Sequence, residues 1–160
     1  MVVRILDASG VRLGGAKQVL IETLKNLKTL DSNLVLVVHK SLRNELEQHS
    51  CLDIILSTVY FDNTITLNLK VFSLLVKYPK ASWFTLFGPG KCILPFNRLI
   101  GFADGWCYGD LTPLNGKIGS AEIKKIEIRC FVKLLIIWLV SKSIVVETED
   151  ARKRLKEFRV

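Results

Sequence analysis

The chain has 160 residues, 49% of them apolar, and its 23 Lys and Arg residues outnumber 15 Asp and Glu residues, giving a formal net charge of +8. This length predicts a single domain with a substantial core, and the apolar fraction excludes a disordered or low-complexity chain. The four Cys residues lack CxxC spacing, which argues against a zinc ribbon and a secreted disulfide scaffold, so we expect reduced thiols in the cytoplasm.

Neither a signal peptide nor a membrane-spanning helix is predicted. Only three apolar residues precede Arg4, and a signal peptide needs a longer apolar region. The most apolar run, residues 130–146, contains Lys133 and Lys142 and is shorter than the roughly 20 apolar residues of a spanning helix.

Strands and helices alternate along the sequence. Short apolar runs predict buried strands, and apolar residues at steps of three and four predict helices. The predicted strands are 2–6, 34–38, 52–56, 81–87, 99–102 and 144–147, and the predicted helices are 16–30, 41–48, 64–78, 120–141 and 148–158. This alternation predicts an α/β fold, a doubly wound parallel sheet with helices on both faces.

Two predicted helices have wide apolar sides that we expect to be buried. In the helix 64–78 this side consists of Ile65, Leu67, Leu69, Val71, Phe72, Leu74, Leu75 and Val76. In the helix 120–141 it consists of Ile123, Ile126, Phe131, Leu134, Leu135, Trp138 and Leu139. The last helix ends without a Gly or Asn cap, which favours a chain that is part of something longer.

A glycine-rich loop, residues 10–15, lies between the first predicted strand and helix. In a doubly wound sheet this loop lies at the carboxyl edge, where phosphates are often bound. Its spacing matches neither a Walker A loop nor GxGxxG, because Lys17 comes one position late and no Ser or Thr follows it. Phosphate binding and a simple tight turn both remain open on this pattern.

The order of four segments resembles the N-terminal half of a GT-B glycosyltransferase of family 4 (glycosyl transferases group 1). The segments are Ile5-Leu6-Asp7 followed by Gly14-Gly15-Ala16, Val19-Leu20 and Thr23-Leu24; Thr85–Gly90; Gly101–Trp106; and Ile144–Glu149 with Arg152 and Leu155. The resemblance covers nearly the whole chain, and the middle two segments look like a bacterial subset of the family.

The resemblance implies one of two Rossmann-like domains that face a cleft. The parent enzyme would transfer a sugar, with retention and without an obligatory metal, from a nucleotide-sugar to a cell-surface polysaccharide or lipid-linked acceptor. The donor domain, with its paired Glu residues, would follow residue 160. We therefore expect residues 1–160 to be the acceptor half, inactive alone and without its own cofactor, with the C-terminal donor domain as its missing partner.

The resemblance also implies roles for individual residues. Gly14 and Gly15 would bring backbone N–H groups close to the donor diphosphate. The acceptor side of the cleft would be lined by Gly88, Pro89, Gly90, Phe102, Asp104 and Trp106. Local packing of a long loop is the alternative interpretation, and for Trp106 it is the favoured one. Many family members have a His in the cleft; here His39, at the end of a strand, is the only candidate, since His49 follows a polar helix.

Other chemistry has little support in the sequence. Asp53, Asp62, Asp104 and Asp110 show no pairing by spacing, Cys107 has no basic partner nearby, and no metal-binding cluster is evident.

Basic residues are concentrated late in the chain, with six basic and two acidic residues between 117 and 142. The predicted helix 120–141 carries four of these basic residues, Lys124, Lys125, Arg129 and Lys133. They form either a solvated face or a docking surface for an anionic membrane. The second interpretation implies peripheral association with the inner membrane face. Nucleic-acid binding is disfavoured, because the basic residues are not interleaved with aromatic ones.

Two other functions remain open. One is a stand-alone Rossmann-like binding module without catalysis, or a partner subunit of a split transferase. The other is a nucleotide-dependent reductase, which is disfavoured because His39-Lys40 follow the second strand where an acidic residue would hold a ribose.

Overall fold

The computed structural model describes residues 2–12, 14–27, 33–49, 55–92, 94–95, 98–102, 119–146 and 149–157. Six strands occur in this part of the chain: β1 (Arg4–Asp7), β2 (Leu34–His39), β3 (Ile55–Phe61), β4 (Ser82–Thr85), β5 (Arg98–Phe102) and β6 (Ser141–Val146). Its α-helices are α1 (Gly15–Leu27), α2 (Arg43–Gln48), α3 (Thr64–Lys77), α4 (Ser120–Val140) and α5 (Glu149–Glu157), and a 3-10 turn, Lys40–Leu42, leads into α2.

All strand pairs are parallel, and the strand order is β3-β2-β1-β4-β5-β6. This is the order of the Rossmann fold, in which the chain first builds one half of the sheet outward from β1 and then returns to build the other half from β4. The predicted doubly wound α/β sheet is confirmed. The carboxyl ends of β1 and β4 meet at the point where the strand order reverses.

The sheet is covered on both faces. Leu6, Leu36 and Val38 pack with the buried residues of α1 and α2, whereas Val35 and Val37 pack with those of α3. These strand residues alternate because successive side chains of a strand point to opposite faces. Helices that follow neighbouring strands therefore bury both sides of β1 and β2.

Helix α4 lies on the same face of the sheet as α3. Trp83 of β4 packs in the α3 core, and Thr85, two residues later, is the register partner of Ile100. Ile100 packs in turn against Leu134 and Ile137 of α4. Residues two apart on a strand, and register partners on parallel strands, point to one face, so α3 and α4 form one layer.

The third strand extends further along the chain than predicted. The sequence indicated 52–56, of which 52–54 lie outside the described residues, and β3 spans Ile55–Phe61. As an edge strand it is half-buried, so its polar residues Ser57 and Thr58 interrupt the apolar run that a central strand would show.

The predicted buried side of α3 is wrong in part. Leu67, Val71 and Leu74 are buried against the sheet. The side that faces away from the sheet is nevertheless apolar, with exposed residues Ile65, Leu69, Phe72 and Val76.

The buried side of α4 also differs from the prediction. Leu134, Ile137 and Val140 are buried, whereas four residues predicted to be buried, Phe131, Leu135, Trp138 and Leu139, are exposed. The carboxyl-terminal half of α4 is apolar all round, so periodicity could not identify its inner side.

Candidate functional site

A groove opens at the carboxyl edge of the sheet where the strand order reverses. It is widely open to solvent and has a volume of about 500 Å³. The segments that follow β1 and β4 form one wall with Gly10, Phe87, Pro89, Gly90 and Lys91, and α4 forms the other with Ile128, Arg129, Val132, Lys133 and Ile136. Ligands of open α/β sheets bind in this crevice, and the volume is in the range of small-molecule sites.

The mouth of the groove is cationic. Lys91, Arg129 and Lys133 line it, and none of the described lining residues is acidic. Partial burial lowers the pKa of Lys91, and the positive charge of Arg12 lowers it further. An atom added at the Cβ position of Gly88 would lie 3.1 Å from Lys133 Cε, so this side chain lies over the loop after β4.

A cluster of buried polar side chains supports the floor. Asp7, Ser9, Thr85 and Arg98 are each at most 1% exposed. Asp7 Oδ1 accepts a hydrogen bond from the backbone N–H of Ser9 at 2.9 Å, and Ser9 Oγ accepts one from the backbone N–H of Lys91 at 2.9 Å. The ends of β1 and β4 are thereby joined directly beneath the groove.

Arg98 holds the loop after β4 from below. Its guanidinium donates hydrogen bonds to the carbonyl oxygens of Pro89, of Cys92 at 2.8 Å and of Leu94 at 3.3 Å. The same group lies 3.6 Å from Asp7 Oδ2. One side chain therefore fixes the backbone that forms the groove wall and balances the charge of Asp7.

Burial raises the pKa of Asp7 above its ordinary value of 3.8. Hydrogen bonds from Ser9, the charge of Arg98 and a hydrogen bond from Thr85 partly offset this increase. Burial likewise lowers the pKa of Arg98, and Asp7 opposes that shift. The two groups depend on each other for their charged forms, since an isolated charge is costly in the interior.

Position 90 requires glycine for two reasons, its backbone conformation and the close packing around it. Its φ is +70°, and an added Cβ would lie 2.7 Å from Asp7 Oδ2 and 3.1 Å from Ser9 Oγ. Only glycine fits this position without displacing the buried cluster.

The predicted donor loop begins helix α1. Gly14 has a φ of +68° and is exposed, as is Gly15, and an added Cβ at either position would meet nothing within 4 Å. This open space allows a ligand to approach the backbone, although neither glycine lines the groove.

Of the residues predicted for the acceptor side, Pro89 and Gly90 line the groove and Gly88 lies beside Lys133. Phe102 ends β5, and Asp104 and Trp106 fall outside the described residues. Both ring nitrogens of His39 have local hydrogen-bond partners: Nδ1 is 2.8 Å from Ser41 Oγ, and Nε2 is 3.2 Å from the backbone oxygen of Asp62.

The structure divides the four basic residues of α4 into two groups. Lys124 and Lys125 are exposed, whereas Arg129 and Lys133 line the groove. Exposed apolar residues continue along the outer side of α4 from Lys124 and Lys125: Ile128, Phe131, Val132, Leu135, Trp138 and Leu139.

The Asp7–Arg98 pair was not identified from the sequence. A carboxylate directly after an apolar strand and before Ser-Gly is a usable signal for a buried polar group at the carboxyl edge. Arg98 gives no comparable signal, because it lies 91 residues after Asp7 in the sequence and only the folded structure brings the two side chains together.

No group of three or more His, Cys, Asp or Glu residues that could hold a metal ion occurs in the described part of the chain. Within the same residues, every helix is too short or too polar to cross a membrane. No protein-family model matches the chain, and comparisons with curated proteins and with solved structures gave no match.

Proposed function

We propose that this chain is the acceptor-binding domain of a GT-B glycosyltransferase of family 4. The full enzyme transfers a sugar from a nucleotide-sugar to a cell-surface polysaccharide or lipid-linked acceptor in the cytoplasm. The observation that supports this best is the groove at the strand-order reversal, because Pro89 and Gly90 of the family-like segment line it. A second, donor-binding Rossmann-like domain would face this edge and complete the cleft.

The outer surface of α4 supports peripheral association with an anionic membrane. Exposed Lys124 and Lys125 adjoin exposed Phe131, Leu135 and Trp138 on a helix. Basic residues attract anionic headgroups, and Trp, Phe and Leu enter the boundary between headgroups and acyl chains. A lipid-linked acceptor would be reached from such a position.

The experiment is a transfer assay with two components. The purified chain is combined with a donor-binding domain encoded downstream of it, in the same or the next reading frame, and with radiolabelled nucleotide-sugars and a bacterial lipid extract. Label should enter the lipid fraction only when both proteins are present, since each supplies one wall of the cleft.

The alternative is a non-catalytic Rossmann-like binding module or a partner subunit of a split transferase. Saturation-transfer NMR of the chain with oligosaccharides distinguishes it from the first proposal. Saccharide binding without transfer by the combined proteins would favour the binding module, and transfer by the combined proteins would exclude a binding module that acts alone.

A further inference from the structure

Strand β6 lies at one edge of the sheet. Among the described strands it pairs with β5 alone, and Val145 in its second half is 54% exposed. An edge strand presents backbone N–H and C=O groups that can pair with a further strand. β6 is therefore a position at which an extended polypeptide segment can add to the sheet.

Helix α5 lies beside this edge, in the layer of α4. Ile144 and Val146 of β6 and Leu155 of α5 pack against one cluster, which contains Ile100 of β5 and buried residues of α4. Ile100 and Ile144 are register partners and point to the α4 face of the sheet. Helix α5 therefore borders the β6 edge on this face.

A second groove, of about 250 Å³, lies between the edge strand and this helix, and we call it the β6 groove. Lys142, Ser143, Ile144 and Val146 line it from the strand, and Arg152, Leu155 and Lys156 line it from the helix. A segment bound in the β6 groove would contact the strand edge and the helix side chains together.

The β6 groove is basic. Lys142, Arg152 and Lys156 line it, and none of its described lining residues is acidic. Arg152 Nη1 lies 3.3 Å from Glu149 Oε2, but such an exposed pair is weak. Pairing of two copies through this edge would bring the same three cations together, and like charges oppose association. The charge therefore favours a partner segment that carries carboxylates.

We propose that β6 accepts an extended acidic segment of a partner protein as an additional strand. Main-chain hydrogen bonds to β6 supply affinity, and carboxylates opposite the basic residues of the β6 groove supply specificity. Successive side chains of a strand point to opposite faces, so the carboxylates occupy alternate positions and the intervening side chains lie on the face of Val145. The inference goes beyond the proposed function and does not depend on it, because no described residue of β6 or α5 lines the groove at the strand-order reversal.

Fluorescence anisotropy with a labelled six-residue peptide of alternating Glu and Val tests the site. The peptide should bind the wild-type chain, and Lys142→Glu/Lys156→Glu should weaken binding about tenfold or more, because each change replaces an attraction by a repulsion. Both lysines are exposed, so the core is left intact. The matched control is Lys125→Glu/Lys153→Glu, which reverses two exposed charges on α4 and α5 outside the β6 groove.

Two further measurements separate strand pairing from charge. The same peptide with an N-methylated backbone keeps its carboxylates but has no N–H donors, so it should bind at least tenfold more weakly. The N–H groups of a strand alternate between its two sides, so the unmodified peptide should slow hydrogen exchange at alternate amides of residues 143–146. Amides of β3, the opposite edge strand, should exchange as before.

The proposal is overturned if the Glu and Val peptide does not bind the wild-type chain. It is also overturned by equal binding of the N-methylated peptide or by equal loss of affinity in the control variant, since both results indicate unspecific attraction to a basic protein. Protection of the β6 amides that grows with protein concentration in the absence of peptide would assign the edge to a second copy and would equally contradict an acidic partner.

Discussion

Arg98 Nη1 lies 3.6 Å from Asp7 Oδ2, and the two side chains are 0% and 1% exposed. Asp7 ends β1 and Arg98 begins β5, with β4 between them in the sheet. The pair therefore joins the two halves of the fold directly beneath the groove. The guanidinium also bonds three carbonyl oxygens of the loop after β4, so groove shape and core stability depend on one side chain.

Replacement of Arg98 by Met should destabilise the protein by about 3–5 kcal/mol, because it leaves Asp7 as an uncompensated buried charge and frees three carbonyl groups. Urea unfolding followed by circular dichroism measures the change. The double variant Asp7→Asn/Arg98→Met should recover part of the loss. No recovery would show that the carbonyl contacts, rather than the ion pair, account for the effect of Arg98.

Stability should depend on pH through Asp7. Burial raises its pKa from 3.8, so the folded state binds the proton more tightly than the unfolded state. The resulting contribution to stability is fully present below pH 3.8 and is lost as pH rises through the folded-state pKa.

Residue 7 cannot titrate in the Asp7→Asn variant. The wild type should therefore lose stability relative to this variant as the pH rises from 3.8 through the folded-state pKa of Asp7. Unfolding free energies of both proteins at a series of pH values measure the difference. Parallel profiles would contradict a raised pKa for Asp7.

Gly90→Ala should destabilise the protein much more than Gly14→Ala. Both positions have positive φ, +70° and +68°, so both substitutions cost about 1–2 kcal/mol in backbone strain. At Gly90 the added Cβ also meets Asp7 Oδ2 at 2.7 Å, whereas at Gly14 it meets nothing within 4 Å. Thermal unfolding of the two variants measures this difference, and equal losses would rule out the packing contribution.

Lys124→Gln/Lys125→Gln should weaken binding to phosphatidylglycerol vesicles. At about 1 kcal/mol for each charge near the surface, the loss is roughly twentyfold or more at low salt. Co-sedimentation measures it, and high salt should release the wild type because exposed charges are screened. The control, Lys17→Gln/Lys25→Gln on α1, removes equal charge from the opposite face of the sheet; an equal loss there would contradict docking through α4.

Much of the fold could be predicted because local patterns determine it. Strand β2, Leu34–His39, is a continuous apolar run up to Val38 and begins at the predicted residue. Helix α3 begins at Thr64, as predicted, and its preceding Asn63 caps it through reciprocal bonds with Thr66. Such signals depend only on neighbouring residues, so they are readable in the sequence.

The inner sides of α3 and α4 could not be predicted, because both helices have apolar residues on opposite sides. Phe72 and Trp138 are as apolar as their buried neighbours but are 62% and 61% exposed. Which side is buried depends on where the sheet lies relative to the helix.

The sequence alone determined the α/β alternation and the glycine segments at the strand ends, since backbone propensity and hydrophobic periodicity are local. Only the tertiary structure paired Asp7 with Arg98 and placed Arg129 and Lys133 in the groove that Gly90 also lines, rather than with Lys124 and Lys125 on the outer side of α4. These contacts join distant segments through parallel crossovers, and their geometry is set by the packing of helices on the sheet.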